Sequence, residues 1–409
     1  MSDQAAGDRP ESKDAQELGP NGSAQRGQAP QPIAVRVFGC TDVGQIREHN
    51  EDNFLVADLT AGRRGVEGDG AAEGERRIDV GRGGVLLAVC DGMGGAAAGE
   101  IASQLAVDTL YERMMASTGH QDRDRLAMDI VTSLEAAGGR ILLESNQNRA
   151  CRGMGTTATV AALVDDLLLL GQVGDSRGYV LRGDRLVQVT RDQSLVNQLI
   201  EAGQLTEEEA ENFEHSNIIL QALGTADAVQ VDLTCVRLRR GDVLMLCSDG
   251  LSGMVRDDDI RGAMATASSP QEACEALVQA ANDAGGHDNI TVVTAVFEGD
   301  GLQEASPQDI QEIGYAKYTL PTWAASEDGE RITPPAIVAP PEARGESPPV
   351  DDTPTIEIHG EIEFDPEAGW DALLPEEAPH IPTNRPSWSV AWVVAALLGL
   401  ALIGYLLLQ

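Results

Sequence analysis

Two apolar runs in this chain end on a carboxylate, and that pairing limits what the chain can build. LLAVCDGMGG, residues 86–95, leads an apolar strand straight into Asp91, and DVLMLCSDG, residues 242–250, does the same at Asp249. An ionised carboxylate at the lip of a core is costly unless something pairs with it, so each aspartate either caps a turn or holds a cation. Repetition favours the cation. GGHDNITVVTAVF places Asp288 just before a Val-rich strand, and GQIREHNEDNFLVAD places Glu51 and Asp52 before another. Carboxylates thus stand at four strand edges. Oxygen donors gathered in this way suit a hard divalent cation, Mg²⁺ or Mn²⁺, better than Zn²⁺, which prefers His and Cys.

Periodicity predicts strands near 34–40, 53–59, 85–90, 156–164, 167–173, 177–182, 230–238, 243–248 and 290–297, with helices between them. GEIASQLAVDTLYERMM predicts a helix with Ile101, Leu105, Ala106, Tyr111 and Met114 along one face. A second helix is expected over about 123–148, with Gly138–Gly139 as a point of interruption. SSPQEACEALVQAAN opens a third, with Ser269 as cap, Pro270 in the first turn and Glu272 three residues after the cap. Hairpins such as LRGDRLVQVT, turning at Gly183–Asp184, with helix pairs between groups of strands, predict an α+β fold. Two packed, mainly antiparallel sheets would be flanked by helices. The polar, Glu-rich segment 194–224 reads as a helical excursion over a sheet edge.

Composition divides the chain. Residues 1–32 are polar, with no apolar periodicity, and are expected to be a disordered tail without a signal peptide. Residues 33–300 carry the globular pattern, and 301–386 form an acidic, Pro-rich linker. Residues 390–408, VAWVVAALLGLALIGYLLL, hold no charge; as a helix they would span about 28 Å, close to the hydrocarbon thickness of a bilayer. A single-pass, C-terminal transmembrane helix is therefore expected, a tail anchor in the plasma or inner membrane. Trp388, Trp392 and Tyr405 suit its interfaces, and Arg385 on the domain side favours a cytoplasmic domain. Ala391, Ala395 and Gly399 recur every four residues, a spacing compatible with helix–helix dimers.

Charge and residue usage exclude several chemistries. Residues 33–300 hold 43 acidic and 22 basic residues, a net of −21, which argues against nucleic acid as a ligand. The two lysines, Lys13 and Lys317, lie outside that span, so a P-loop, a protein kinase and a Schiff-base enzyme are all ruled out. The six cysteines form no Cys-x-x-Cys pair, and none is followed six residues later by an arginine, so a thiol phosphatase loop is absent. Cys90 and Cys247 sit on apolar strands as small hydrophobes, and the usage fits a reducing cytoplasm.

Seven blocks, in order over about 265 residues, resemble the metal-dependent protein phosphatases of the 2C type, the PPM family, in its bacterial branch. They are TDVGQIREHNEDNF, CDGMGGAAAGEIAS, GMGTTATVAALV, GQVGDSRGYVLRGDRLVQVTRDQSL, QALGT, CSDGLSGMV and GHDNITVVTAVF. The resemblance implies an α-β-β-α sandwich with a two-metal centre at one end. It makes Asp52, Asp91, Asp249 and Asp288 the carboxylate ligands of two Mn²⁺ or Mg²⁺ ions, with Asp91 bridging them and Gly92 offering its carbonyl. The glycines would let backbone approach the ions. Glu51 would hold metal-bound waters, and Arg47 would clamp the substrate phosphate with its planar fork. Asp175 matches the position of a third, weaker metal; the alternative for it is a turn aspartate.

The implied reaction is hydrolysis of phosphoserine and phosphothreonine by a metal-activated water, without a phosphoenzyme. Phosphorylated proteins, and a membrane Ser/Thr kinase with its substrates, are the expected partners. The chain departs from the family pattern at Met93, at Ala96 and at Gln193 within Asp192-Gln193-Ser194, which leaves the general acid unassigned. His49 and His287 read as surface or supporting residues, and Thr156 and Thr157 as packing and turn residues. The rival reading is a pseudophosphatase, a phosphoprotein-binding scaffold. Its mark would be a lost metal aspartate, and none is lost.

Overall fold

β1 (Ala34–Asp42), β2 (Asn53–Asp58), β3 (Arg63–Arg64), β4 (Arg76–Asp79), β5 (Val85–Cys90) and β6 (Gly92–Met93) precede two long helices, α1 (Ala98–Ala116) and α2 (Arg123–Gln147). Next come β7 (Gly155–Thr156), β8 (Ala158–Val164), β9 (Leu167–Val173), β10 (Arg177–Arg182) and β11 (Arg185–Gln188), then short α3 (Leu195–Glu201) and α4 (Glu207–Ala210). β12 (Asp232–Arg237), β13 (Val243–Cys247), α5 (Asp249–Ser252), α6 (Asp257–Thr266), α7 (Pro270–Asp283), β14 (Ile290–Glu298) and α8 (Pro307–Glu312) complete the order. The computed structural model describes residues 32–65, 74–95, 98–117, 122–210, 213 and 217–320. The chain divides into two units, Met1–Glu330 and Arg331–Gln409, and every described residue lies in the first.

The strands form two six-stranded sheets, β11-β10-β13-β14-β1-β4 and β12-β9-β8-β5-β2-β3, beside the small β6-β7 ribbon. Every pairing within them is antiparallel. Alternation within strands builds the layers. On β5, Val85, Leu87 and Val89 face the other sheet, whereas Leu86, Ala88 and Cys90 face α1 and α2. β14 does the same from the other side, sending Val293, Ala295 and Phe297 between the sheets and Ile290 and Val292 toward α6 and α7. Each such fully buried Val, Leu or Phe contributes roughly 1.5–3 kcal/mol, so strands with two apolar faces settle only in the middle layers. The expected α-β-β-α sandwich is the result.

Helix α1 buries only part of the expected stripe, Ala106 and Met114, together with residues beside it. Ala102, Ala106, Leu110 and Met114 are fully buried, Leu105 and Tyr111 only partly so, and Ile101 is 37% exposed. Alanines at four-residue spacing bring the α1 backbone close to its neighbours, so Ile101, Leu105 and Tyr111 turn toward the flank while Ala102 and Leu110 share the buried stripe. Helix α2 runs unbroken through Gly138–Gly139, capped by Asp122, which accepts from the Arg125 amide. On α7 the expected cap holds: Ser269 accepts from the Glu272 amide, with Pro270 in the first turn.

The expected linker start at 301 is displaced. Leu302 and Ile313 are buried against the inter-sheet core, and Tyr318 and Leu320 pack on the α1–α2 side, because apolar residues recur among the acids. The expected N-terminal tail, apart from Pro32, the linker beyond 320 and the transmembrane segment 390–408 lie outside the described residues. Among the described residues no helix is long and apolar enough to cross a membrane.

Candidate metal centre

Strand register brings the carboxylates to one end of the sandwich. Asn53 pairs with Cys90, so Asp52, before β2, and Asp91, after β5, stand at the same strand edge. On the facing sheet Cys247 pairs with Val292, which brings Asp249 and Asp288 to that end as well. The pairings Ala158–Val173 and Arg177–Cys247 add Asp175, in the turn between β9 and β10.

Each carboxylate is held differently. Asp52 is buried, and its Oδ2 accepts from Thr291 Oγ1 across the sheets at 2.6 Å. Asp91 is gripped by its backbone: its amide donates to Thr157 Oγ1 at 3.0 Å, and its carbonyl accepts from the Thr157 amide and Thr156 Oγ1, both at 2.8 Å. Thr157 Oγ1 is in turn 2.7 Å from Ser176 Oγ, in the turn that carries Asp175. Asp288 accepts from the Asn289 amide at 2.8 Å and from Arg47 Nη2 at 2.6 Å. Asp175 and Asp249 each keep a buried Oδ1 with no hydrogen-bond partner.

The loop that carries Arg47 and Glu51 is splinted by Asn289. Its side chain accepts from the Glu51 amide at 2.8 Å and donates to the carbonyls of Val43 and His49 at 3.0 and 2.9 Å. Glu51 lies against the start of α1, where Ser103 Oγ donates to its carbonyl at 2.6 Å. The protein's own packing requires a glycine at Gly92. A Cβ on it would meet the carbonyl oxygens of Gly99 at 2.2 Å and Glu51 at 2.4 Å. His49 and His287 are both exposed.

Crowding of like charges sets the electrostatics. Burial, with the Asp249 and Asp288 charges, pushes Asp52 up to about 8, against the downward pull of hydrogen bonds from Thr291 and Ser248. Burial and the Asp52, Asp249 and Asp175 carboxylates hold Asp91 well above the usual range. Asp175 rises to about 7, through burial and the Asp249 and Asp192 charges, and Asp249 rises for the same kind of reason. Burial also raises Glu51, while Arg47 pulls it the other way. Arg177, next to Asp175, is engaged by Asp192 at 2.7 Å.

These residues fit divalent cations. Burial and mutual repulsion hold protons on Asp52, Asp91, Asp249 and Asp175, two buried oxygens lack partners, and all the donors are oxygens, the set that Mg²⁺ and Mn²⁺ take. Among the described residues no three acidic, His or Cys side chains already stand as a finished ligand group. The cluster is therefore a gathered set of carboxylates rather than a closed cage. Of the residues picked out in the sequence, Asp52, Asp91, Asp249, Asp288 and Asp175 come together, Arg47 joins them through Asp288, and Glu51 and Gly92 pack beside them. Thr156, Thr157, Asn289 and Thr291, which sequence reasoning left as packing residues or unassigned, position the others. The signal for them was polar residues at strand ends where apolar ones would be expected.

Comparison with known proteins agrees with this geometry. Residues 74–289 match the family model described as protein phosphatase 2C. Protein phosphatase PhpP of Streptococcus pneumoniae is 38% identical over 255 residues, 62% of this chain and 93% of that protein. The serine/threonine phosphatase of S. agalactiae matches in structure with a TM-score of 0.56 and 34% identity, over 64% of this chain and 99% of that one. The catalytic domain of the serine/threonine protein phosphatase PstP, solved with two manganese ions, matches with a TM-score of 0.53 and 34% identity, over 65% and 99%. The fold and site define a metal-dependent phosphatase. The chain belongs to the protein phosphatase 2C family.

Proposed function

We propose that this protein hydrolyses phosphoserine and phosphothreonine in proteins at a two-metal centre held by Asp52, Asp91, Asp249 and Asp288. The observation that carries the reading is the meeting of these four aspartates at one end of both sheets, where burial and mutual repulsion raise Asp52, Asp91 and Asp249, with buried oxygens left unpartnered at Asp249 and Asp175. When bound, two Mn²⁺ or Mg²⁺ ions supply a nucleophile at neutral pH and offset charge on the phosphoryl oxygens. The chain's own residues do the rest. Thr156 and Thr157 fix the Asp91 backbone, Thr291 orients the Asp52 carboxylate, and Gly92 lets α1 close on the Glu51 loop. Arg47 is half-exposed at the rim with one nitrogen on Asp288, so its planar fork can turn further donors toward a phosphoryl group. Asp175 is a candidate for a weaker, third ion.

We further propose that the domain is tethered to a membrane by residues 390–408 and acts on a membrane-bound Ser/Thr kinase or its substrates. The uncharged length of that segment supports the tether, and the kinase follows from location and from the family. The central test is hydrolysis of a phosphothreonine peptide with Mn²⁺, with Mg²⁺ and with chelator. Turnover with either ion and none in chelator is expected. Full activity in chelator, or turnover of sugar phosphates without turnover of the peptide, overturns the reading.

A further inference from the structure

The chain does not leave the domain at the end of β14. From Gly299 to Leu320 it folds back as a strap, outside the residues that match the family model. Away from the carboxylates, Arg239 pairs with Asp309 at 2.6 Å, and Arg240 with Asp300 and Glu304 at 3.1 and 3.2 Å. Arg182, buried against Asp242 at 2.6 Å, donates to the Asp309 carbonyl. The strap then runs antiparallel along the free edge of β12, where the Cys235 amide donates to Ala316 and the Tyr318 amide to Leu233.

This course carries Tyr315 to the segment that begins at Ser194. Its hydroxyl donates to Asp232 at 2.9 Å, and the Arg191 guanidinium stacks over its ring, 4.6 Å from the centroid. Arg191 also pairs with Glu201, the last residue of α3, at 3.0 Å. Helix α3 buries no residue of its own, so polar contacts of this kind must hold it. Immediately next to Arg191, Asp192 grips Arg177, and the Gln193 amide donates to the Gly174 carbonyl, beside Asp175. Arg191, α3 and Lys317 of the strap line one open cavity of about 340 Å³.

We infer that Tyr315 is a positioning residue: by stacking on Arg191 the strap holds α3 beside the candidate metal centre, so the root of the acidic linker sets the surface on which a phosphoprotein docks. The inference rests on the reading of that centre as a protein phosphatase site. Tyr315 touches no reacting group, and its effect passes through Arg191 and Glu201.

The test uses the full chain with Tyr315→Leu and Tyr315→Phe. Loss of an exposed cation–π contact is expected to speed amide exchange across residues 195–201 about two- to five-fold in Tyr315→Leu. KM for a phosphothreonine peptide should rise by a similar factor, while kcat on p-nitrophenyl phosphate stays at the wild-type value. Tyr315→Phe keeps the ring and should follow wild type in both. Wild-type exchange in Tyr315→Leu, an equal loss on both substrates, or Tyr315→Phe behaving like Tyr315→Leu overturns the inference. Exchange is read without turnover. A wild-type protein inactive on the peptide would thus sink the functional reading, while exchange still decides the role of Tyr315.

Discussion

Asp91 and Thr157 exchange hydrogen bonds in both directions, from the Asp91 amide to the threonine hydroxyl at 3.0 Å and from the Thr157 amide back to the Asp91 carbonyl at 2.8 Å. The aspartate expected to bridge two ions is therefore aimed by its backbone, from the residue that precedes β8, the adjacent strand of the same sheet. Thr157→Val removes the acceptor and leaves the Asp91 amide unpaired, a cost of about 1–3 kcal/mol. Turnover of a phosphopeptide is expected to fall about tenfold or more, with partial recovery at raised Mn²⁺ and full recovery in Thr157→Ser. Chemical denaturation and a metal titration check it, and wild-type turnover in Thr157→Val would remove Thr157 from the site.

Much of this site was legible because its carboxylates interrupt apolar strands, a pattern that survives without any knowledge of pairing. What was not legible is how they are held. Thr157 and Thr291 look like ordinary polar residues until strand pairing sets Thr157 beside Asp91 and the packing of the two sheets sets Thr291 against Asp52. The same limit hid the α1 face, where alanines carry the packing, and the strap, where Leu302, Ile313 and Tyr318 are too sparse among acids to read as a packed segment. Gly92 was picked out for its carbonyl, and the structure adds a packing reason for a glycine there. The backbone it admits belongs to Gly99 and Glu51.

That close approach makes Gly92→Ala a severe change. A methyl group 2.2 Å from the Gly99 carbonyl forces the start of α1 away from the Glu51 loop, and no flexible side chain is there to yield. A loss of about 1–3 kcal/mol in stability is expected, together with weaker metal binding. Thermal melting with and without Mn²⁺ measures both. A variant that melts and binds metal like wild type contradicts the close packing described.

Asp249→Asn should separate activity from stability. The carboxylate sits among like charges with one oxygen unpartnered, so without metal its removal relieves repulsion on Asp52 and Asp91. Turnover is expected to vanish, while the chelated variant melts at or above the wild-type temperature. A chelated variant that melts well below wild type would show that Asp249 supports the fold rather than the ions.

Acidity follows from the same crowding. Asp52 and Asp175 are raised to about 8 and about 7, above their unfolded value near 3.8. A carboxyl raised by folding contributes stability that is complete below its unfolded pKa and is lost as pH rises through its folded one. Chelated protein should therefore lose stability from about pH 4 to about pH 8 and change little above, as far as these groups are concerned. Bound cations remove that penalty, so the rise in melting temperature on adding Mn²⁺ should be larger at the alkaline end. A metal-induced shift independent of pH would mean that these carboxylates do not hold the ions.

The proposed tether makes the last prediction. Nineteen uncharged residues at 390–408, bordered by Trp388, Trp392 and Tyr405, are long enough to cross a bilayer as one helix, and a stretch of 15 acidic and 3 basic residues at 321–389 separates them from the strap. Like charges extend such a linker, and the anionic face of the membrane would repel it, so the domain is expected to stand off the surface while remaining bound to it. In fractionated cells the full chain should sediment with membranes and resist carbonate extraction, whereas a chain ending at residue 385 should be soluble and equally active on a free phosphopeptide. Recovery of both forms in the soluble fraction refutes the anchor, and digestion of the domain by protease added to intact spheroplasts refutes its cytoplasmic orientation.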